Sequence, residues 1–249
     1  MTRIGSLNYA QKNCVASAGK LMQQTNMLFP GARVGVALSG GMDSWTLLQT
    51  LLLRQRITPF AFEIMVLHVN PGFDVGNHAP ATAWLAEHGV AAHLEVADHG
   101  PRAHSDENRK NSACFFCCRL RRNVLFDLCR RYGLTHLALG HNSDDLAATF
   151  FMNMFQTGRV EGLSIKEAFF GGRLTMIRPL LWVDKATIRR ACAAWGLPVW
   201  HNPCPSADHT ARSRTTAWLQ QRFRENSYTK QNVFNALRRW QLDLTPGVD

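Results

Sequence analysis

The chain has 249 residues, 46% hydrophobic and 18% charged, a balance that excludes disordered and fibrous classes and leaves room for one full core. Lysine and arginine outnumber aspartate and glutamate by 28 to 18, giving +10 with neutral histidines, which suits a polyanionic partner and a solvated basic surface about equally. No run of about eighteen apolar residues exists, and the start lacks the order of a signal peptide, so the chain reads as cytosolic; its seven cysteines then point to metal or redox chemistry rather than disulfides.

Leu7 to Phe29 has helical spacing. Arg33 to Leu38 is a short β-branched run, and after Gly40 and Gly41 come Trp45, Leu47, Leu48, Leu51 and Leu52 at helical intervals, which predicts strand, turn, helix. The pattern repeats with Ile64 to Val69, a Gly/Pro/Asn-rich loop, and a helix from Ala79 to His88. Further strands are expected at Ala91 to Val96, Thr135 to Leu139 and Leu174 to Ile177, the last just before the Arg178-Pro179 break. Phe116 to Tyr132 is the clearest helix, with Leu120, Val124 and Leu128 on one face and arginines on the other; Lys185 to Trp195, Arg212 to Arg224 and Gln231 to Trp240 read as helices too. Five strands alternating with helices predict right-handed crossovers and a doubly wound α/β fold, a Rossmann-like parallel sheet, with an N-terminal helix before it and a helical extension after it.

In Ser39-Gly40-Gly41-Met42-Asp43-Ser44 the glycines let backbone approach an oxyanion, hydroxyls at both ends can donate to it, and the following helix aims free N–H groups there. The plainer reading is a glycine turn with Asp43 or Ser44 capping a helix. Neither the Walker pattern nor the dinucleotide GxGxxG is present. Gly140-His141-Asn142-Ser143-Asp144-Asp145 follows the fourth strand and opens a helix, so it should overhang the same carboxyl-end cleft. Ser143 is a candidate cap and one of the two aspartates fits helix stabilisation; Asp145 is the functional choice, and His141 fits a satisfied turn residue as well as a nucleotide contact.

Cys114 and Cys117 form a CxxC pair at a loop-to-helix junction, with Arg119, Arg121 and Arg122 just behind. Basic neighbours and the helix N-terminus predict lowered thiol pKa values. Alone, the pair fits a redox couple or half a zinc site as well as a cluster. Cys204, exposed in Asn202-Pro203-Cys204-Pro205-Ser206, is the expected partner; Cys14, Cys129 and Cys192 lie among apolar residues and belong to the core, and Cys118 reads as structural.

The loop resembles the PP-loop of N-type ATP pyrophosphatases. With the blocks VGVALSGGMDSWTLL (34–48), CFFCCRLRRNVLF (114–126), LALGHNSDDLAATFFMNMFQTGR (137–159), IRPL (177–180) and NPCPS (202–206), the chain is similar to the tRNA 2-thiocytidine synthetase family and the related 2-thiouridine synthetases. That resemblance implies cleavage of ATP to AMP and pyrophosphate, with Ser39, Gly40, Gly41, Ser44, Arg119, Gly140 and His141 contacting nucleotide and Asp43 holding magnesium. It implies a 4Fe-4S cluster on Cys114, Cys117 and Cys204, and activation of a pyrimidine C2 oxygen, cytidine in the anticodon loop, with Asp145 and Arg121 in the catalytic set. Sulfur-transferring members commonly carry lysine where this chain has Met42. The implied partners are tRNA and a sulfide or persulfide donor protein, with a homodimer as a candidate assembly and no membrane. The chain divides accordingly into an N-terminal helical segment (1–30), a PP-loop domain (31–200) and a cysteine loop with basic helices (201–249).

Arg212, Arg214, Arg222, Arg224, Lys230, Arg238 and Arg239, interleaved with Trp218, Phe223 and Trp240, form a basic C-terminal stretch suited to RNA phosphates, although amphipathic helices explain the aromatics equally. Two rival readings remain: a PP-loop amidotransferase or ligase whose cysteines hold zinc, with His201 or His209 as fourth ligand, and a nucleic-acid-binding protein with a decayed nucleotide site.

Overall fold

The structure, a computed structural model, describes residues 6–201, 203–206 and 210–244. Its strands are β1 (Arg33–Ala37), β2 (Glu63–Asn70), β3 (Ala92–Val96), β4 (His136–Ala138), β5 (Lys166–Phe169) and β6 (Leu174–Ile177). Its helices are α1 (Tyr9–Gln24), α2 (Met42–Gln55), α3 (Ala79–Glu87), α4 (His99–Ala103), α5 (Ala113–Arg131), α6 (Ser143–Thr157), α7 (Lys185–Trp195), α8 (Ala211–Glu225) and α9 (Ser227–Asp243).

The strands form one sheet in the order β3-β2-β1-β4-β6-β5. All neighbours are parallel except β5, which runs antiparallel to β6 with Lys166 opposite Ile177. The five-stranded, all-parallel expectation is therefore corrected to six strands with an antiparallel edge. β5 escaped pattern reading because an edge strand needs no apolar alternation, and Lys166-Glu167 at its start shows none.

Alternate residues of the inner strands serve opposite faces, as the two-residue period requires. Val34, Val36, Val66 and Ala138 pack with Leu21 of α1, Trp45, Leu48 and Leu51 of α2 and Ile188 of α7. Leu67, Val69, Leu137 and Met176 pack with Leu125, Leu128 and Cys129 of α5. The buried stripe of α5 thus holds Phe116, Leu125 and Leu128, whereas Leu120 and Val124 of the expected stripe are only half-buried. Cys14, Cys129 and Cys192 are all buried.

α1 is shorter than its periodicity suggested. Asn8 caps it by accepting the Gln11 N–H at 2.9 Å, and it stops at Thr25 because Asn26 turns to a φ of 45°. No helix among the described residues is long and apolar enough to cross a membrane.

The strand order reverses around β1: the chain moves outward to β2 and β3, then returns to place β4 on the other side of β1. The segments after β1 and β4 therefore leave the sheet on either side of one crevice at the carboxyl ends, where such sheets bind ligands.

Candidate nucleotide and thiol site

The β1–α2 turn is braced from within. Ser44 Oγ donates to the Gly41 carbonyl at 2.9 Å and accepts the Ser39 N–H at 3.1 Å, and the two hydroxyls lie 3.2 Å apart. The hydroxyls expected to reach phosphate are thus committed to the shape of the loop. Gly40 has φ +91°, and its carbonyl accepts the Trp200 N–H at 3.1 Å. The Trp200 ring packs edge-on to Trp45 and His68. Side chains cap α1, α5, α6, α7, α8 and α9, but no side chain caps α2 at Gly41, so its leading amides keep their donors for an anion. Met42 turns against the core instead of lining the loop.

Three helix starts meet at Asp43. Asn142, the N-cap of α6, accepts the Asp144 and Asp145 N–H groups and donates through Nδ2 to Asp43 Oδ1 at 3.1 Å. Lys185, first residue of α7, places its ammonium on the other Asp43 oxygen and its backbone N–H on Asp144 at 2.7 Å. The cap is Asn142 rather than the expected Ser143, whose hydroxyl donates to the Leu181 carbonyl. Gly140 is required here for space: a Cβ would lie 3.0 Å from backbone atoms of Asp43 and Ser44.

Asp145 closes the capping box by accepting the Asn142 N–H at 3.1 Å. Burial raises its pKa, with the Asp43 charge adding to the shift and Arg212 opposing it. His141 accepts from Arg178 Nε at Nδ1, 3.3 Å away, which leaves Nε2 as its proton-bearing nitrogen. Burial, then the charges of Arg178, Arg212 and Arg121, push its pKa down to about 3. Arg178 is itself buried and also donates to the Ser164 carbonyl at 2.6 Å, so it holds His141 from a fixed base.

Cys114 and Cys117 occupy the first turns of α5, behind the Ser112 cap. The Cys114 thiol donates to the Ser206 carbonyl at 3.8 Å, and Cys204 lies within electrostatic reach of both Cys114 and Cys117. The 204–206 turn is also held by Ser206 Oγ, 2.8 Å from His104 Nε2. Cys204, 90 positions along the chain from Cys114, is thus placed on the same side of the fold as the CxxC pair, within range of its charge. The low pKa expected of Cys114 and Cys117 is corrected: burial pushes Cys117 up to about 11 and Cys114 upward too, outweighing the Arg121 charge on Cys117. Among the described residues, no three His, Cys, Asp or Glu side chains stand ready to share one metal ion.

Arg121 is half-buried, and its charge acts to lower the pKa of Cys117 and His141 alike. Arg119 does not join them; it is exposed over the Phe116 ring. Cys118 is exposed beside the pair. His201 is exposed, and His209 falls outside the described residues. Pattern reading passed over Lys185, Asn142, Arg178 and Trp200. Of these, only Asn142 carried a usable signal, as a cap residue preceding Asp at the third helical position.

A model of the PP-loop domain matches residues 11–222. The tRNA-cytidine(32) 2-sulfurtransferase of Syntrophotalea carbinolica is 35% identical over 196 residues, 79% of this chain and 76% of that protein. Those of Geotalea uraniireducens and Geobacter sulfurreducens are 33% and 31% identical, covering 88% and 95% of both chains respectively. Among solved structures, the U34-tRNA thiolase NcsA from Methanococcus maripaludis with its [4Fe-4S] cluster superposes with a TM-score of 0.75 at 22% identity, over 94% of this chain and 80% of that one. The NH3-dependent NAD synthetase of Campylobacter jejuni reaches 0.50 at 13% identity, over 96% and 95%, and shares the fold. With the family model matching residues 11–222 and these relatives 31–35% identical over most of their length, the chain belongs to the PP-loop family and, within it, to the tRNA-cytidine(32) 2-sulfurtransferases.

Proposed function

We propose that this chain is an ATP-dependent tRNA sulfurtransferase that replaces the C2 oxygen of an anticodon-loop cytidine with sulfur. One observation carries the reading: Trp200, bonded to the phosphate loop, stands only four positions before Cys204, which lies within electrostatic reach of Cys114 and Cys117, so a nucleotide and a sulfur carrier would share one cleft.

The free amides of α2 bind the phosphates of Mg-ATP, and the Asp43 carboxylate, oriented by Asn142, takes its magnesium. The cytidine C2 oxygen bonds to the α-phosphorus and pyrophosphate leaves; sulfide then adds at C2 and AMP departs with that oxygen. His141, neutral and fixed by Arg178, offers an N–H without adding charge. Arg121 supplies positive charge felt by both Cys117 and His141, and Asp145 holds the Asn142 backbone that aligns Asp43. The chemistry of the thiols suits a cluster: Cys114, Cys117 and Cys204 are soft donors, each half-buried, and burial keeps Cys114 and Cys117 protonated until a metal displaces the protons. A 4Fe-4S cluster on Cys114, Cys117 and Cys204, with one iron free of protein ligands, would supply the sulfide. A sulfide donor, or a persulfide donor protein together with a two-electron thiol reductant, would replenish it, and the arginines exposed on α8 and α9 meet tRNA phosphates.

Mass spectrometry of tRNA nucleosides from cells with and without the gene should show loss of 2-thiocytidine; unchanged nucleosides overturn the reading. In purified protein, Cys114→Ala should abolish thiolation while tRNA-dependent pyrophosphate release persists, and equal loss of both refutes the separation of roles. Anaerobically purified protein should be brown, whereas a colourless zinc-loaded protein favours the ligase reading.

A further inference from the structure

The phosphate loop carries no basic side chain. Its residues are Ser39, Gly40, Gly41, Met42, Asp43 and Ser44, and the half-buried Met42 packs against the core. A triphosphate bound there needs a cation from elsewhere in the fold. Lys185 is seated against the loop, its ammonium on the Asp43 carboxylate.

The start of α7 at Lys185 is held twice. Its N–H donates to Asp144 at 2.7 Å, and the Asp184 cap before it takes the Thr187 N–H at 3.0 Å. The side chain is 35% exposed and its partner 25%. Partly exposed ion pairs contribute about 0–1 kcal/mol to stability, so the pair does little for the fold. A flexible four-carbon stem ending in a compact charge suits a group that changes partners. The α2, α6 and α7 starts converge around it, adding positive dipole ends to the same spot.

We propose that Lys185 is the lysine that grips the β- and γ-phosphates of ATP, resting on Asp43 in the empty site and moving to phosphate oxygens when the magnesium of Mg-ATP takes its place on the carboxylate. This rests on the ATP-dependent reading above. No bond is made or broken, and the exchange keeps every charge paired.

Isothermal titration with Mg2+ and α,β-methylene-ATP, and separately with AMP, on the wild type, Lys185→Met and Lys185→Arg tests it, with circular dichroism and melting curves to confirm folding. Loss of a charge-assisted contact predicts about ten- to hundred-fold weaker binding of the triphosphate to Lys185→Met, with AMP changed less than about threefold and Lys185→Arg intermediate. A purely structural lysine would lower both ligands together. Unchanged triphosphate affinity in Lys185→Met, or parallel losses for triphosphate and AMP, overturns the proposal. A wild type that binds no triphosphate removes the ATP-dependent reading itself.

Discussion

Gly40→Ala probes how the phosphate turn is built. At φ +91° an alanine is strained by about 1–2 kcal/mol. Its Cβ would also lie 2.3 Å from Cε2 and 2.7 Å from Cδ2 and Cζ2 of Trp200. That indole cannot swing aside cheaply, being packed against Trp45 and His68 on a residue whose backbone N–H is tied to the Gly40 carbonyl. Overpacking of this kind costs about 1–3 kcal/mol. Together the terms reach about 2–5 kcal/mol, a large part of the roughly 5–15 kcal/mol that holds a domain folded. Gly41 is the internal control: its φ is −75°, and an added Cβ meets only Ser39 Oγ at 3.8 Å, so Gly41→Ala should stay within about 0.5 kcal/mol. Urea denaturation of both variants, and of Gly40→Ala in a Trp200→Ala background, separates the terms, because removing the indole relieves the clash but not the dihedral strain. Equal stability of Gly40→Ala and wild type, or equal losses at both glycines, would refute the reasoning.

Burial pushes His68 and His136 down to about 4 and His141 to about 3, against about 6.5 in the unfolded chain. The folded state therefore resists protonation: its advantage is complete above about pH 6.5 and drains away as pH falls toward 4, by about 2 kcal/mol per histidine at pH 5. Urea midpoints at about pH 7.5 and about pH 5 should differ, and His136→Asn should shrink the difference; a pH-independent midpoint contradicts this. Asn142→Ala removes the α6 cap and the donor to Asp43, costing about 1–2 kcal/mol. Asn142→Asp should restore the melting temperature while still impairing Mg-ATP binding, since it sets a second carboxylate against Asp43; full recovery of both would show that only the cap matters.

The doubly wound core was readable because its inner strands are short β-branched runs flanked by helices of clear period, and the β6 and α7 boundaries coincide with those read from sequence. β5 was not, since an edge strand opening with Lys-Glu has no buried face to impose alternation. The phosphate turn is local in sequence and so announces itself. Lys185 and Asp43 are 142 positions apart, and nothing around Lys185 distinguishes it from a solvated helix lysine until the fold seats it on the loop. Thiol acidity misled for a related reason: neighbouring arginines are visible in sequence, whereas the burial that outweighs them is not.

The bond from Trp200 N–H to the Gly40 carbonyl acts as an anchor with a short leash. Four residue steps separate Trp200 from Cys204, and fully stretched chain spans at most about 3.6 Å per residue, or about 14 Å in all. However residues 201–203 are arranged, that sulfur cannot wander farther from the cradle than the leash allows while the anchor holds. Proximity of the two chemistries is thereby written into covalent length, and each residue inserted between anchor and thiol would loosen it by up to about 3.6 Å.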